Sequence, residues 1–254
     1  MIDLHSHILM GVDDGAKNVM ESIEMAKAAE REGIRTIVAT PHHMNGRYEN
    51  KKQDIIHAVA KLNHILQNEK VNLQVMPGQE IRIYGELIEN YKCGEILPIN
   101  DGRYLFIELP TAHVPLYASQ LFYEIQCEGL IPVIVHPERN QVFLQNPGLL
   151  FDFVEKGALT QVTAASIIGE FGKKAKKFSL QLIEHNLTHF IASDAHNITT
   201  RSFKLKEAYQ MIEKKMNADF VSMFRKNASA IIHNQLVYAE NPQRIEKKKV
   251  FFIF

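Results

Sequence analysis

The chain has 254 residues, and its 29 Lys+Arg balance 29 Asp+Glu for a formal net charge of +0, so it is long enough for one large core and carries no global basic face. Charge-driven binding to nucleic acid or to anionic membrane is excluded, and an anionic substrate must be met by local charges. A hydrophobic content of 46% with 23% charged residues excludes a disordered chain.

Residues 2–5 read as a strand entering a turn within Asp3-Leu4-His5-Ser6-His7, and alternation along a strand sends His5 and His7 to the same side. The loop Gly11-Val12-Asp13-Asp14-Gly15 then offers an oxygen from Asp13 or Asp14. Asn18, with Glu21 three positions on, reads as a helix start; Val19, Ile23 and Ala26 repeat at helical spacing, and Gly33 ends the helix. Residues 34–40 form an apolar, β-rich run that breaks at Thr40-Pro41-His42-His43, placing His42 at the strand's C-terminal end. A second helix over about 50–68 turns Ile55, Ile56, Val59, Leu62 and Leu66 inward.

The alternation continues. Residues 71–76 form a strand leading to Pro77-Gly78-Gln79-Glu80, and 104–107 form another ending at Glu108-Leu109-Pro110. A helix over 116–127 is closed by Gly129, and the apolar run 130–135 ends at His136-Pro137-Glu138-Arg139. Residues 158–163 are a weaker strand with no obvious ligand, 178–187 are helical, and the strand 188–192 ends at Ser193-Asp194-Ala195-His196. Beyond Asn197 one helix is expected to about 227, with Leu205, Ala208, Met211 and Ile212 on its apolar face, followed by a short last turn over 228–233.

Seven strand-then-helix units predict a parallel α/β architecture. A closed barrel is favoured over an open sheet because its strand ends surround one mouth. There His5, His7, Asp13 or Asp14, His42, Glu80, Glu108, His136, Asp194 and His196 would converge. Such a set of nitrogen and oxygen donors, without cysteine, suits Mn, Fe, Zn or Mg and exceeds what one ion needs, so two or three ions are expected. A carboxylate such as Glu80 is placed to bridge neighbouring ions, and the chemistry expected is hydrolysis. Arg139 lies three residues after His136 and Arg201 five after His196, within reach of the mouth as bidentate partners for phosphate oxygens. Cys93 and Cys127 are the only cysteines, which fits a reducing cytoplasm. Neither has an arginine six positions later, where a thiolate phosphatase needs one; those positions are Ile99 and Val133.

Taken together, the segments DLHSHILMGVDDG, ATPHH, PGQEIR, FIELP, VIVHPERN and SDAHN, with Arg201 after them, resemble the PHP (polymerase and histidinol phosphatase) superfamily. Within it the chain resembles the manganese-dependent bacterial protein-tyrosine phosphatases of the CpsB/CapC family. The resemblance implies a distorted seven-stranded (β/α)7 TIM-like barrel, the PHP fold. It implies a trinuclear centre held by His5, His7, Asp14, His42, Glu80, Glu108, His136, Asp194 and His196, with Mn2+ as the metal. Asp13 is then left to shape the turn, and Arg139 and Arg201 bind phosphate. The implied substrate is phosphotyrosine on a protein, and the implied partner is the tail of a bacterial tyrosine autokinase that controls exopolysaccharide or capsule synthesis.

Two other readings keep the same residues: a phosphatase of small monoesters such as histidinol phosphate, and a metal-stabilised binding module without catalysis. One domain over 1–254 is expected, ending in a tail at 240–254. Its basic-then-apolar end, KKKVFFIF, is read as a strap packed on the barrel rather than a membrane anchor. No signal peptide and no spanning segment is expected, so the protein is placed in the cytoplasm, in contact with membrane only through a partner. Substrate specificity is expected to arise at the mouth, from loops holding His43, His113 and Arg201, with modest dependence on flanking sequence.

Overall fold

The structure is a computed structural model that describes residues 1–246; the terminal KKKVFFIF, and with it the expected strap, lies outside the described residues. Strand β1 (Ile2–Ser6) runs into the loop that precedes α1 (Val19–Glu32). The ends of α1 form for the reasons read from sequence: Asn18 accepts from the Glu21 amide, and Gly33 closes the helix at φ 87°. Strands β2 (Thr36–Ala39) and β3 (His42–His43) precede α2 (Lys52–Asn68), which buries Ile55, Val59, Leu62 and Leu66 and leaves Ile56 half-buried. Then come β4 (Gln74–Pro77), β5 (Glu80–Arg82), the short helix α3 (Leu87–Lys92), β6 (Tyr104–Glu108), α4 (Ala118–Cys127) and β7 (Ile131–Val135). The second half holds α5 (Gln141–Gln145), α6 (Pro147–Glu155), β8 (Leu159–Thr163), α7 (Ala164–Ile168), α8 (Gly172–Glu184), β9 (Phe190–Ala192), α9 (Leu205–Lys215) and α10 (Ala218–Ile232).

Among the described residues nine strands, all paired in parallel, form two sheets in the orders β1-β2-β4 and β3-β5-β6-β7-β8-β9, where seven strands in one barrel were expected. The difference arises at two interruptions. Thr40-Pro41 separates β2 from β3, where proline offers no ladder donor, and Gly78-Gln79 separates β4 from β5. At Gly78 a Cβ would sit 2.7 Å from Val38 Cγ1 and 2.9 Å from Ile99 Cδ1, so only glycine fits without displacing its neighbours. The buried Gln79 replaces the missing ladder bonds: its Nε2 donates to Asn50 O at 2.6 Å and its Oε1 accepts from Leu97 N at 2.9 Å. The free edge of β1 meets the segment after β9, with Asp194 N donating to His5 O at 2.9 Å and His7 N to Ala195 O at 2.8 Å.

Alternation divides the buried residues into two cores. Ile37, Leu105, Ile107, Ile134, Val162 and Ile191 face the helices. Val38, Tyr104, Phe106, Val133, Val135, Phe190 and Ala192 face the other way and pack with Ala228, Ile231 and Ile232 at the end of α10. On that inner face the sequence runs from apolar to polar along each strand, as in Tyr104, Phe106, Glu108 and in Phe190, Ala192, Asp194, so an apolar floor lies beneath the strand ends. The helix expected from 197 to 227 is two helices. Asn217 caps α10 by accepting from the Asp219 and Phe220 amides, and a capping side chain of this kind competes with a continuous helix. Among the described residues, no helix is long and apolar enough to cross a membrane.

Buried Asn227 pins the C-terminal segment to this frame: Nδ2 donates to His189 O and to Tyr238 O, and Oδ1 accepts from Tyr238 N at 3.1 Å. Replacing it (Asn227→Ala) strands these backbone groups and is expected to cost about 1–3 kcal/mol in urea unfolding, with the strand-end chemistry unchanged.

Candidate metal centre

All nine ligands expected from the sequence meet at the C-terminal strand ends. His5 and His7 arrive from β1, but not by plain alternation: Leu4 belongs to the apolar floor, and the ring of His5, one residue on, lies 5.7 Å from Phe106 in that same floor. A register shift between Asp3 and Ser6 lets both side chains reach the inner face. His42 and Glu80 are register partners across β3 and β5. His136 and Asp194 follow β7 and β9 in the left-handed region, at φ 38° and 54°, a conformation that costs a non-glycine residue about 1–3 kcal/mol and that clusters at functional sites.

Glu80 is fully buried at the centre. Its Oε1 lies 2.6 Å from His136 Nε2, and its Oε2 lies 3.4 Å from His5 Nε2, 3.3 Å from His7 Nε2 and 2.8 Å from His42 Nδ1. Asp194 Oδ1 is 3.5 and 3.4 Å from the same two Nε2 atoms, which are themselves 3.3 Å apart. Donors bound to one cation at ~2.0–2.2 Å stand about 3.0–3.6 Å from each other, so the spacings of 3.3–3.5 Å among His5, His7, Glu80 and Asp194 match the edges of a coordination shell, while the 2.6 and 2.8 Å contacts to His136 and His42 are hydrogen-bond distances. Two further groups surround it: His42, Glu80 and Glu108, and His7, Asp14, His42 and His196. Asp14 Oδ1 lies 3.5 Å from the Nε2 atoms of both His42 and His196. His42 Nδ1, Glu80 Oε2 and His196 Nε2 are buried without a hydrogen-bond partner, the condition of donors that await a cation.

The tautomers are fixed from behind. His5 Nδ1 meets Gln161 Oε1 at 2.9 Å, His7 Nδ1 meets Asp13 Oδ2 at 2.6 Å, and His196 Nδ1 meets Asp194 O at 3.0 Å. Each ring therefore carries its proton on Nδ1 and presents a bare Nε2. Burial, followed by the charge of Arg139, lowers the His136 pKa to about 3, and burial with His7 nearby lowers His196 to about 4, so both stay neutral and able to ligate at neutral pH. Burial, then the charge on Glu80, pushes Glu108 up to about 7, although Arg82, His42 and Arg139 act in the opposite direction. Burial opposes ionisation of Asp194, yet the guanidiniums of Arg139 and Arg201 hold it well below the usual range.

Both expected arginines line the cavity, of about 230 Å3, together with His42, Glu80, Glu108, His136 and Asp194. Each places one terminal nitrogen on Asp194 Oδ2, at 2.8 Å for Arg139 and 2.9 Å for Arg201. Glu138 does not pair with Arg139; its Oε1 accepts from Ser166 Oγ at 2.7 Å and from Thr163 N. Leu109, Ile134 and Phe143 supply an apolar wall.

Four contributors escaped the sequence reading. Gln161 comes from the strand expected to carry no ligand, and a polar residue on the inner face of a buried strand was the available signal. Arg82 pairs with Glu108 Oε2 at 2.9 Å. Asp3 and Ser193 work together: Asp3 accepts from Ser193 N at 2.9 Å and from its Oγ, and Ser193 Oγ in turn accepts from Ala195 N, holding the turn that presents Asp194. Asp13 shapes the loop as expected, accepting from Gly15 N and His42 N. His43 is not at the mouth: it is 1% exposed, on the opposite side of its strand from His42, beside Tyr84. His113 is exposed. The helix positions His57 and His64 are also exposed, in keeping with a solvated face.

Comparison with known proteins places this geometry. The family described as "Capsular polysaccharide synthesis, CpsB/CapC" matches residues 1–233. The tyrosine-protein phosphatase YwqE of Bacillus subtilis (strain 168) is 50% identical over 254 residues, covering 100% of both chains, and CapC of Staphylococcus aureus is 45% identical over 255 residues, covering 99% of each. A crystal structure from work on YwqE of Bacillus subtilis and CpsB of Streptococcus pneumoniae, metal-dependent tyrosine phosphatases, superposes with a TM-score of 0.95 at 50% identity, covering 97% of this chain and 100% of its own.

Because Asp13 fixes the His7 tautomer and also holds the His42 amide, Asp13→Asn is expected to lower metal affinity by about 10–100-fold while the protein remains folded. Metal content after dialysis against graded chelator reads this directly, and unchanged retention would assign Asp13 to the turn alone.

Proposed function

The chain belongs to the CpsB/CapC family, and from that premise we propose that it is a metal-dependent phosphatase that hydrolyses phosphotyrosine on proteins. The observation that carries this reading is a cavity lined by five of the nine nitrogen and oxygen donors, His42, Glu80, Glu108, His136 and Asp194, by both arginines and by an apolar wall, with the other four donors clustered against these. An aryl phosphate has the same division between a dianionic head and an apolar ring.

His5, His7, Glu80 and Asp194 would hold one ion, Glu80, Glu108 and His136 a second, and Asp14, His42 and His196 a third, with Glu80 shared between the first two. Mn2+ is the metal we favour for this hard, cysteine-free donor set, with Fe, Zn or Mg as alternatives. When bound, the ions supply Lewis acidity toward phosphoryl oxygens and a nucleophilic water at neutral pH. Arg139 and Arg201 each spend one terminal nitrogen on Asp194, leaving further donors to fix phosphoryl oxygens and balance their charge. Leu109, Ile134 and Phe143 exclude water beside the ring and orient it. Both cysteines are exposed and outside the cavity, so no thiol takes part.

The architecture we infer is a distorted seven-stranded barrel in which β2 with β3, and β4 with β5, each make one interrupted stave. The hydrogen bonds that join β1 and its extension to the segment after β9, Asp194 N to His5 O and His7 N to Ala195 O, support it. The family's link to capsular polysaccharide synthesis supports a cytoplasmic role on the phosphorylated tail of a tyrosine kinase.

Chelation is expected to abolish phosphate release and Mn2+ to restore it, with thiol alkylation having little effect; full activity in metal-free protein contradicts the reading. Arg139→Ala is expected to keep its metal and lose about 100–1000-fold in kcat, so collapse of metal content would reassign Arg139 to holding Asp194. A phosphotyrosine peptide, a phosphoserine peptide and histidinol phosphate compared under one Mn2+ condition decide the substrate. The longer phosphotyrosine is expected to give the highest kcat/KM, and a large preference for histidinol phosphate would replace it with the small-metabolite reading.

A further inference from the structure

Beside the catalytic cavity runs a second, larger depression of about 570 Å3, between the start of α5 and the exposed face of α8. Leu144 and Phe178 form part of its base, Lys174 and Lys177 stand over it, and no carboxylate is among its lining residues. Both lysines are exposed, and so is Lys173. The other ammonium of this Lys-Lys-Ala-Lys-Lys stretch, on Lys176, donates to Ile168 O at 2.9 Å. Among the described residues, neither Lys174 nor Lys177 forms an ion pair, whereas Lys27, Lys51, Lys52, Lys92 and Lys204 each meet a carboxylate.

The depression lies next to the site. Its first lining residue, Gln141, follows Asn140, which lines the catalytic cavity. The Arg139 guanidinium lies 5.3 Å over the ring of Phe171, the residue immediately before α8. Measured along the helix from Phe171, Lys174 and Lys177 lie about 4.5 and 9 Å away, a span covered by about two to three residues of extended peptide.

Resting on the phosphatase reading above, we propose that this groove is the substrate-peptide subsite: it binds acidic side chains about two to four residues from the phosphotyrosine held in the cavity. Leu144 and Phe178 pack against the peptide between its charges, and Lys174 and Lys177 pair with its carboxylates. Flanking sequence then matters more than a specificity set by the mouth alone allows. The pairs are exposed, so the preference is modest and weakens as salt rises.

The test uses the Mn2+-loaded full chain and K174A/K177A, whose exposed positions leave folding and the metal site intact. Substrates are free phosphotyrosine and two phosphotyrosine peptides of equal length, one with Asp and Glu two to four residues from the phosphotyrosine and one with Ser and Asn there. Wild type is expected to favour the acidic peptide by about three- to tenfold in kcat/KM at low salt, through KM. The variant loses this preference, K174E/K177E reverses it, and free phosphotyrosine is turned over equally by all three. An acidic preference that is absent in wild type, or that survives in the variants, overturns the proposal. If none of the three substrates is turned over, the phosphatase reading fails; the groove is then judged by anisotropy of the same peptides carrying a non-hydrolysable phosphonate, with the same contrasts expected. Loss of sedimentation with phosphatidylserine vesicles in the variants, alongside unchanged peptide ratios, makes the groove a membrane-facing surface and rejects the peptide subsite.

Discussion

A carboxylate buried as completely as Glu80 is tolerable only when its charge is answered, because an isolated ion costs many kcal/mol in a protein interior. Here the answer is a ring of imidazoles within 2.6 to 3.4 Å of its two oxygens, supplied by His5, His7, His42 and His136. His5 and His7 engage their Nδ1 protons elsewhere and turn Nε2 toward this carboxylate, an arrangement that makes sense around cations. Asp194 has the same problem and a mixed solution: one oxygen faces His5 and His7, and the other is taken by two guanidiniums. The remaining features serve to place these donors.

The placing depends on the strand ends and on departures from regular geometry. The register shift in β1 brings Leu4 to the floor and His5 to the centre, two functions that a regular strand would send to opposite faces. The loop carrying Asp13 folds back onto β1 so closely that a Cβ on Gly15 would lie 2.0 Å from His7 O, which is why a glycine stands there. His136 and Asp194 hold left-handed conformations, and the Asp3–Ser193 pair locks the second of them. Below, the aromatic and aliphatic floor capped by α10 gives the donors a rigid base and keeps water from reaching them from that side.

Most of this was legible because parallel strands leave readable traces: apolar runs that stop at His42, Glu80, Glu108, His136 and Asp194 announce where each strand ends and what it delivers. His42, Glu80, Glu108, His136, Asp194 and His196 were found at such stops, whereas His5 and His7 were read from their two-residue spacing and Asp14 was chosen over Asp13 by resemblance to the family. What escaped does not sit at a stop. Gln161 lies inside its strand, Arg82 lies two residues beyond Glu80 and is defined by a contact with Glu108, and Asp3 acts through Ser193 across 190 residues of sequence. The two extra strands arise because pairing resumes after breaks at Thr40-Pro41 and Gly78-Gln79 that read as strand ends, and the break before Asn217 rests on one capping side chain in a stretch that otherwise reads as helix. His43 was placed at the mouth from its loop-like neighbourhood, but strand alternation puts it on the buried outer side. Periodicity reports which residues face a core, and long-range pairing decides which polar residues meet.

The claim on which everything else rests is that Glu80 is shared between ions. Electron paramagnetic resonance of the Mn2+-loaded protein tests it most directly. A carboxylate shared between neighbouring Mn2+ ions gives an exchange-coupled multiline spectrum, which Glu80→Gln converts to the simple hyperfine pattern of isolated ions. An isolated-ion spectrum in the fully loaded wild-type protein, or a coupled spectrum that persists in the Glu80 variant, would contradict a centre organised around this residue.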